Sequence, residues 1–417
     1  MNERLLQFIW QHQYFNREAL QTCAGQTVQI IFQGSANTNQ GPDFFNARII
    51  IDDIQLAGTV ELHLKTSNWN DHGHGADKHY NNVILHVVWE HDGENDEGIL
   101  ELKDRVASSL LNRYAELMQQ PDQIPCHHFL SNVHVLVWSS WKERLVAERM
   151  MQKMIKVQLI LQQTNRHWEE VFWQLLCHNF GVPLNGDVFE AIARSIPVSL
   201  LAKHKNQIHQ LEAMLLGQAG LLEGDFTDAY AVLLQKEYHY LKKKYQLQPV
   251  HQLLNFLRMR PSNFPTIRLA QVARLVHQSS HLFSKIVEAK ELNDIKQLFA
   301  VTANDFWHTH YTLTESSAFK KKTTGAVMID SLLINTIIPL LFVYAAEHDQ
   351  PQVQQKAIQW LQQLPKEKNR ITLLWEAAGA PHSNAFDSQA LLQLKKFYCN
   401  ERKCLNCSVG NSILKKS

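Results

Sequence analysis

The sequence predicts an α+β protein, with an N-terminal mixed α/β domain followed by a large all-α domain. Three observations point to this class. Short runs rich in Val, Ile and Thr crowd the first hundred residues. From about residue 130 the chain instead reads as long segments rich in Leu, Ala, Glu, Gln and Lys, which are good helix formers. The charge also changes sign: residues 1–104 hold six Lys and Arg against fifteen Asp and Glu, net −9, and the remainder holds 35 against 25, net +10, within a chain of net charge +1. The 417 residues suffice for two or three domains. With 45% hydrophobic and 19% charged residues, wholesale disorder is excluded.

The elements follow in order. Residues 3–15 place Leu5, Leu6, Ile9 and Trp10 on one helical face. Strands are expected at 27–32, 47–51, 54–64, 83–89 and 98–103, with Asp52-Asp53 as a tight hairpin between the second and third. The first domain therefore reads helix, three strands, a polar segment and a strand. Helices are expected at 139–163, 167–178, 186–195, 207–222, 226–245, 268–291, 327–345, 351–363 and 368–379. Prolines and glycines at Gly181-Val182-Pro183, Gly224 and Arg260–Pro265 break the series. Domain boundaries are expected at 1–120, 121–398 and a Cys-rich, metal-binding tail 399–417 that packs on the helical domain, with Gln119–Pro125 as the hinge.

Compartment follows from what interrupts the apolar stretches. Glu3 and Arg4 sit in a start that lacks a long apolar core, unlike a signal peptide. Residues 327–346 are apolar but carry Asp330, Asn335 and Pro339, so a buried core helix is expected rather than a membrane span. Six cysteines are too few for a disulfide scaffold of this length. A cytoplasmic protein without a membrane partner is expected.

Chemistry concentrates in the β-rich part. Gly41-Pro42-Asp43-Phe44 precedes one strand, and Glu61-Leu62-His63-Leu64-Lys65 ends the next. Alternation puts Glu61, His63 and Lys65 on one face, and the intervening hairpin can bring Asp43 to the same end of the sheet as Glu61. A charged, solvent-facing strand is the alternative reading. The following segment, residues 67–80, holds His72, His74, Asp77 and His79 around two glycines, and would overhang that strand end. His72 and His74 are candidate site-lining residues, with Asp77 as a further one or as a helix cap, and His86 on the next strand as another.

Two further groups stand out. Cys399, Cys404 and Cys407 form Cys-x4-Cys-x2-Cys, a soft donor set suited to zinc or an iron–sulfur cluster with one more ligand. Cys126 is the preferred fourth, with Cys23, Cys177 and His127 as alternatives. In the basic half, Arg258, Arg260, Arg268 and Arg274 are candidate phosphate contacts, Arg268, Gln271 and Arg274 sharing a helical face. Lys242–Lys244 and Lys320–Lys322 add positive charge. No Gly-x-Ser-x-Gly elbow, Walker-type phosphate loop or dinucleotide fingerprint occurs.

Pro42-Asp43 followed by Glu61-x-His63 resembles the PD-(D/E)xK nuclease superfamily, whose core is an αβββαβ, restriction-endonuclease-like fold. The resemblance implies that Asp43 and Glu61 hold Mg²⁺ or Mn²⁺, with His63 in the lysine position, or Lys65 two residues on, orienting water for phosphodiester hydrolysis on DNA or RNA. Some nucleases of that superfamily carry an iron–sulfur staple built from one distant and three C-terminal cysteines. The departure at His63 keeps open a non-catalytic nucleic-acid- or protein-binding scaffold.

A second resemblance covers nearly the whole chain. Gly41-Pro42-Asp43-Phe44, Gly58–His63, Trp69-x-x-His72-x-His74-x-x-Asp77-x-x-Tyr80, Val83–Val88, Arg260-Pro261-x-Asn263-Phe264-Pro265 and the C-terminal cysteines resemble an uncharacterised bacterial family, domain of unknown function 2851. That family implies no activity and no catalytic residue.

Overall fold

Helix α1 (Glu3–His12) starts where the Asn2 side chain accepts a hydrogen bond from the Leu5 N–H at 2.9 Å, and ends where Gln13 turns left-handed. The structure is a computed structural model that describes every residue except Thr38, 72–76, Asn95, Ser280 and 416–417. After α1 come β1 (Val28–Phe32), β2 (Ser35–Ala36), β3 (Phe44–Ile51), β4 (Ile54–Lys65), the short α2 (Asn68–Asp71), β5 (Val83–Glu90) and β6 (Ile99–Glu101). The fold is thus mixed α+β, with a curled N-terminal sheet and a mostly helical remainder.

The sheet runs β1-β3-β4-β5-β6, with β2 pairing on β3. The β1–β3 and β3–β4 pairs are antiparallel, and β4–β5 and β5–β6 are parallel. The change of sense has a local cause. Asp52 and Asp53, both at positive φ, make the tight turn that forces β4 antiparallel to β3. Residues 66–82 then carry the chain back, as a parallel pair requires. Where β5 begins, Thr59 donates from both its N–H (2.9 Å) and its hydroxyl (3.0 Å) to the carbonyl of Asn82. Gly58 permits this approach, since a Cβ there would stand 2.5 Å from the Asn82 oxygen and 2.5 Å from Ile84.

The helices continue as α3 (Ser108–Gln119), α4 (Val135–Gln163), α5 (Trp168–Gly181), α6 (Gly186–Ser195), α7 (Val198–His204), α8 (Ile208–Gln218) and α9 (Ala229–Tyr245). After them come α10 (Pro265–Gln278), α11 (Leu282–Glu288), α12 (Leu292–Phe299), α13 (Ala326–Leu332), α14 (Ile338–Glu347), α15 (Pro351–Gln363), α16 (Arg370–Ala377), α17 (Ala385–Leu394) and α18 (Ser408–Lys415). The expected single helix 268–291 is two helices, because His281 adopts φ 54° between α10 and α11. Between α13 and α14 the backbone makes one π-helical turn at Leu333–Ile337.

The expected core helix 327–345 is long and apolar enough to cross a membrane by length and composition, and 61% of its most apolar window is buried.

Compact units divide the chain elsewhere than the expected boundaries. One comprises Met1–Glu143, Arg370–Pro381 and Leu391–Ser417; the other comprises Arg144–Asn369 and His382–Ala390. The first unit holds the sheet and gathers C-terminal segments into its own core, so the Cys-rich tail packs in the sheet-bearing unit and not on the helical domain as expected. Trp138 meets Trp375 edge-on at 6.2 Å, and the Trp375 indole donates to the Leu391 carbonyl at 3.0 Å. The second unit is helical, and its core includes the Trp173 indole, which donates to the carbonyls of Ala193 and Ile196 at 3.1 Å each.

Candidate functional site

The register of β3 and β4 assembles the site. Phe44 pairs with Val60, so Asp43, one residue before the strand, stands opposite Glu61 and on its face. The Asn37 side chain donates to the Pro42 carbonyl at 3.0 Å, and its N–H to the Asp43 carbonyl at 2.7 Å, which holds the Pro-Asp turn in place. The Asp43 N–H donates to Glu61 Oε2 at 3.0 Å, and the Leu62 N–H donates to Asp43 Oδ2 at 3.1 Å. From α1, the Gln7 amide donates to Asp43 Oδ1 at 2.7 Å. Glu61 is therefore held by the backbone of Asp43, and Asp43 by the backbone of Leu62, the residue after Glu61.

The parallel β4–β5 pair completes the cluster by setting Glu61 beside His86. His63 Nδ1 lies 2.9 Å from His86 Nε2, and His63 Nε2 lies 3.5 Å from Glu61 Oε1. Trp69 stands 5.0 Å from the His86 ring and 6.0 Å from the Tyr80 ring. Glu61, His63 and His86 are only 6%, 1% and 8% exposed, so the alternative of a solvent-facing charged strand does not hold.

Burial governs the acidities. It pushes Asp43 up to about 6, with the nearby Glu3 charge adding to it. It pushes Glu61 up to about 8, reinforced by the charge of Asp43. Burial and the charges of Glu61 and Asp43 also raise Tyr80. Two carboxylates so placed, with the charge of Asp43 raising the proton affinity of Glu61, could hold a cation between them. Hard oxygen donors suit Mg²⁺ or Mn²⁺.

The other sequence-derived candidates fall in several places. Lys65 projects at the exposed end of β4, 3.6 Å from Asp92. Asp77 caps the turn Lys78–Tyr80, accepting from the His79 N–H at 2.9 Å. His72 and His74 lie outside the described residues. His86, a subsidiary candidate in the sequence, is central here. The sequence assigns no role to Glu3, Gln7, Trp69 or Tyr80; Glu3 and Gln7 stand at i, i+4 on α1, a spacing that puts them on one face of the helix.

The basic candidates separate. Arg258 and Arg260 are exposed. Arg268 is engaged by its own neighbours, donating to Gln271 Oε1 at 3.0 Å and Asn263 Oδ1 at 2.7 Å, and Arg274 lies near the buried Glu212. The face shared by Arg268, Gln271 and Arg274 is not an exposed phosphate cradle, since Gln271 is buried and donates to the Lys322 carbonyl at 3.2 Å. Lys322 is buried too, its ammonium 3.7 Å from the Tyr311 ring centre. A spacing of three identifies a face and leaves open which way it points.

Cys126, Cys399, Cys404 and Cys407 come together in the sheet-bearing unit, each within electrostatic reach of the others. The alternatives for the fourth position lie among other groups: His127 beside Asp122, Cys23 near Glu101, and Cys177 near Glu170. Among the described residues, groups of three metal-binding side chains with close donor atoms occur at Asp122, His127 and His128 and at His178, Asp187 and Glu190.

No curated protein and no solved structure matches this chain. A family model described as a protein of unknown function, DUF2851, matches residues 3–370, which include the whole carboxylate–histidine cluster and stop short of Cys399. The chain belongs to the DUF2851 family.

Proposed function

We propose that the protein is a metal-dependent nuclease that hydrolyses phosphodiester bonds in DNA or RNA. The observation that carries this reading is the meeting of the half-buried Asp43 and the buried Glu61 at one end of adjacent antiparallel strands, each accepting a backbone N–H from the other's segment, with a histidine from each of β4 and β5 beside them. The order from α1 through β5, antiparallel at β3–β4 and parallel at β4–β5, supports the restriction-endonuclease-like reading of this unit.

Asp43 and Glu61 would hold Mg²⁺ or Mn²⁺, which supplies charge neutralisation at the phosphate and an acidified water. His63 takes the water proton at Nε2, the atom nearest Glu61, and keeps its ring orientation through the Nδ1 contact to His86. Lys65 is already engaged with Asp92, so His63 rather than Lys65 takes the lysine role. Arg258 and Arg260 supply exposed positive charge for phosphate contacts, and Arg268 and Arg274 serve the helical core instead. A cytoplasmic setting, with nucleic acid as partner and no membrane, accords with this reading.

Incubating the purified chain with Mn²⁺ or Mg²⁺ and single- and double-stranded DNA and RNA tests it. Cleavage that requires the metal and is lost in Glu61→Ala and Asp43→Asn is expected. Activity in Glu61→Ala equal to wild type would sink the proposal. A second reading, a binding scaffold that keeps the core without the chemistry, is favoured by the histidine in the lysine position. It is distinguished by nucleic-acid binding without cleavage and without metal affinity at Asp43 and Glu61.

A further inference from the structure

A third set of convergent donors lies on the segment that leaves α3. Pro121 and Pro125 bracket it, and each fixes its own φ, which stiffens the turn between them. Ile124 and Cys126 are buried and anchor that turn to the unit. The 3₁₀ turn His127–Asn132 follows at once and packs against α18. Held at the surface by these anchors, Asp122 and His128 are exposed and His127 is half-buried.

The three side chains turn toward one another. One ligand atom from each lies within 4.8 Å of the other two. His127 Nδ1 is 3.5 Å from Asp122 Oδ2, and the rings of His127 and His128 stand 3.5 Å apart between centres, tilted by 43°. The Ile124 carbonyl accepts from His127 Nδ1 at 3.3 Å, which fixes the tautomer and leaves the lone pair on Nε2. A backbone carbonyl commonly stands in this way behind a metal-bound histidine.

The other close triad, His178, Asp187 and Glu190, is of a different kind. There Lys156, at 2.9 Å, and Arg194 already neutralise Glu190, so the protein supplies the cations itself. Among the described residues no Lys or Arg pairs with Asp122; its ion-pair partner is His127.

The donor types select the ion. Mg²⁺ and Ca²⁺ take oxygen ligands and soft ions take thiolates, whereas two imidazoles with one carboxylate suit Zn²⁺ and its first-row neighbours. At ligand distances of about 2.0–2.2 Å, donors on one such ion stand roughly 3 Å apart. Rotation of the exposed Asp122 and His128 side chains closes the present spacing to that value.

We propose that Asp122, His127 and His128 bind one divalent transition-metal ion of the zinc class. Three protein ligands leave a tetrahedral ion one position for water, as in reactive rather than closed zinc sites. The site depends neither on the nuclease reading nor on the cysteines.

Equilibrium dialysis of the full chain against Co²⁺, followed by visible absorption, tests the assignment. His128→Ala and Asp122→Asn should each remove about one Co²⁺ per chain, or weaken it by more than about tenfold. The absorption lost should be ligand-field bands without sulfur-to-cobalt charge transfer. Both residues are exposed, so each variant should melt with the wild type in chelator. Glu61→Ala should keep this equivalent, which separates it from the carboxylate site. Equal Co²⁺ content in wild type, His128→Ala and Asp122→Asn would overturn the proposal. A lost equivalent that carries the charge-transfer band would also overturn it, by assigning the ion to the cysteines.

Discussion

The sheet and the tail each bury a cluster of ionisable side chains, and the two clusters are assembled in opposite ways. On the sheet, Asp43, Glu61, His63 and His86 are near in sequence, and strand register places them. At the tail, Cys126 must meet residues 399–407, and tertiary contacts such as Arg113 to Ile413 place them. The donors differ as well. Carboxylates and imidazoles favour hard cations that keep open positions for water, and thiolates favour soft metals in closed sites. The contrast separates a cluster set by strand register from one set by tertiary contacts.

The largest effect expected is at Glu61. Glu61→Ala should lower metal-dependent cleavage about a hundred- to thousand-fold, measured by cleavage rate. A rate equal to wild type would remove Glu61 from the chemistry and leave the contrast without its chemical side.

His86→Ala sharpens the role of the second histidine. It leaves both carboxylates and removes the partner 2.9 Å from His63, so cleavage should fall about ten- to hundred-fold with little change in Mn²⁺ affinity by calorimetry. An unchanged rate would show that His63 needs no such support.

The two constrained glycines separate the clusters by stability. Gly58→Ala places a methyl 2.5 Å from the Asn82 oxygen, and Gly410→Ala places one 2.3 Å from the Cys404 oxygen. Both neighbours are backbone and cannot give way cheaply, so each should cost about 1–3 kcal/mol in denaturant unfolding. Gly58→Ala should also lose cleavage, whereas Gly410→Ala should retain it.

The smallest effect is on pH dependence. In the folded chain Glu61 is raised from 4.5 to about 8 and Asp43 from 3.8 to about 6. Between those limits the folded state holds protons that the unfolded state has released, so stability falls as pH rises from about 4.5 to 8. Melting temperature in chelator should follow that decline, and Mn²⁺ or Glu61→Gln should flatten it. A profile that chelator and Mn²⁺ leave identical would remove the cation from this site.

Legibility followed the range of the interactions. The strand pattern and the Asp52-Asp53 turn were readable because alternation and turn chemistry are local, and β1, β3, β4, β5 and β6 lie where the runs predicted. The break at His281 was missed because no Gly or Pro marks it. Arg268 and Arg274 were read as a phosphate-binding face, yet periodicity cannot distinguish a face turned inward from one turned outward. Gln7 escaped notice because its role depends on where α1 lands relative to Asp43.

By itself, the sequence determined the α+β class, the Pro-Asp and Glu-x-His pair, and the cysteine set, because residue type and spacing act over a few residues. Only the tertiary structure decided that His63 and His86 touch, that Lys65 turns to Asp92, and that α4 carries residues of both compact units. Those outcomes depend on how buried surfaces meet across long stretches of chain. Burial then gives Asp43 and Glu61 a proton affinity that neither has in an extended chain.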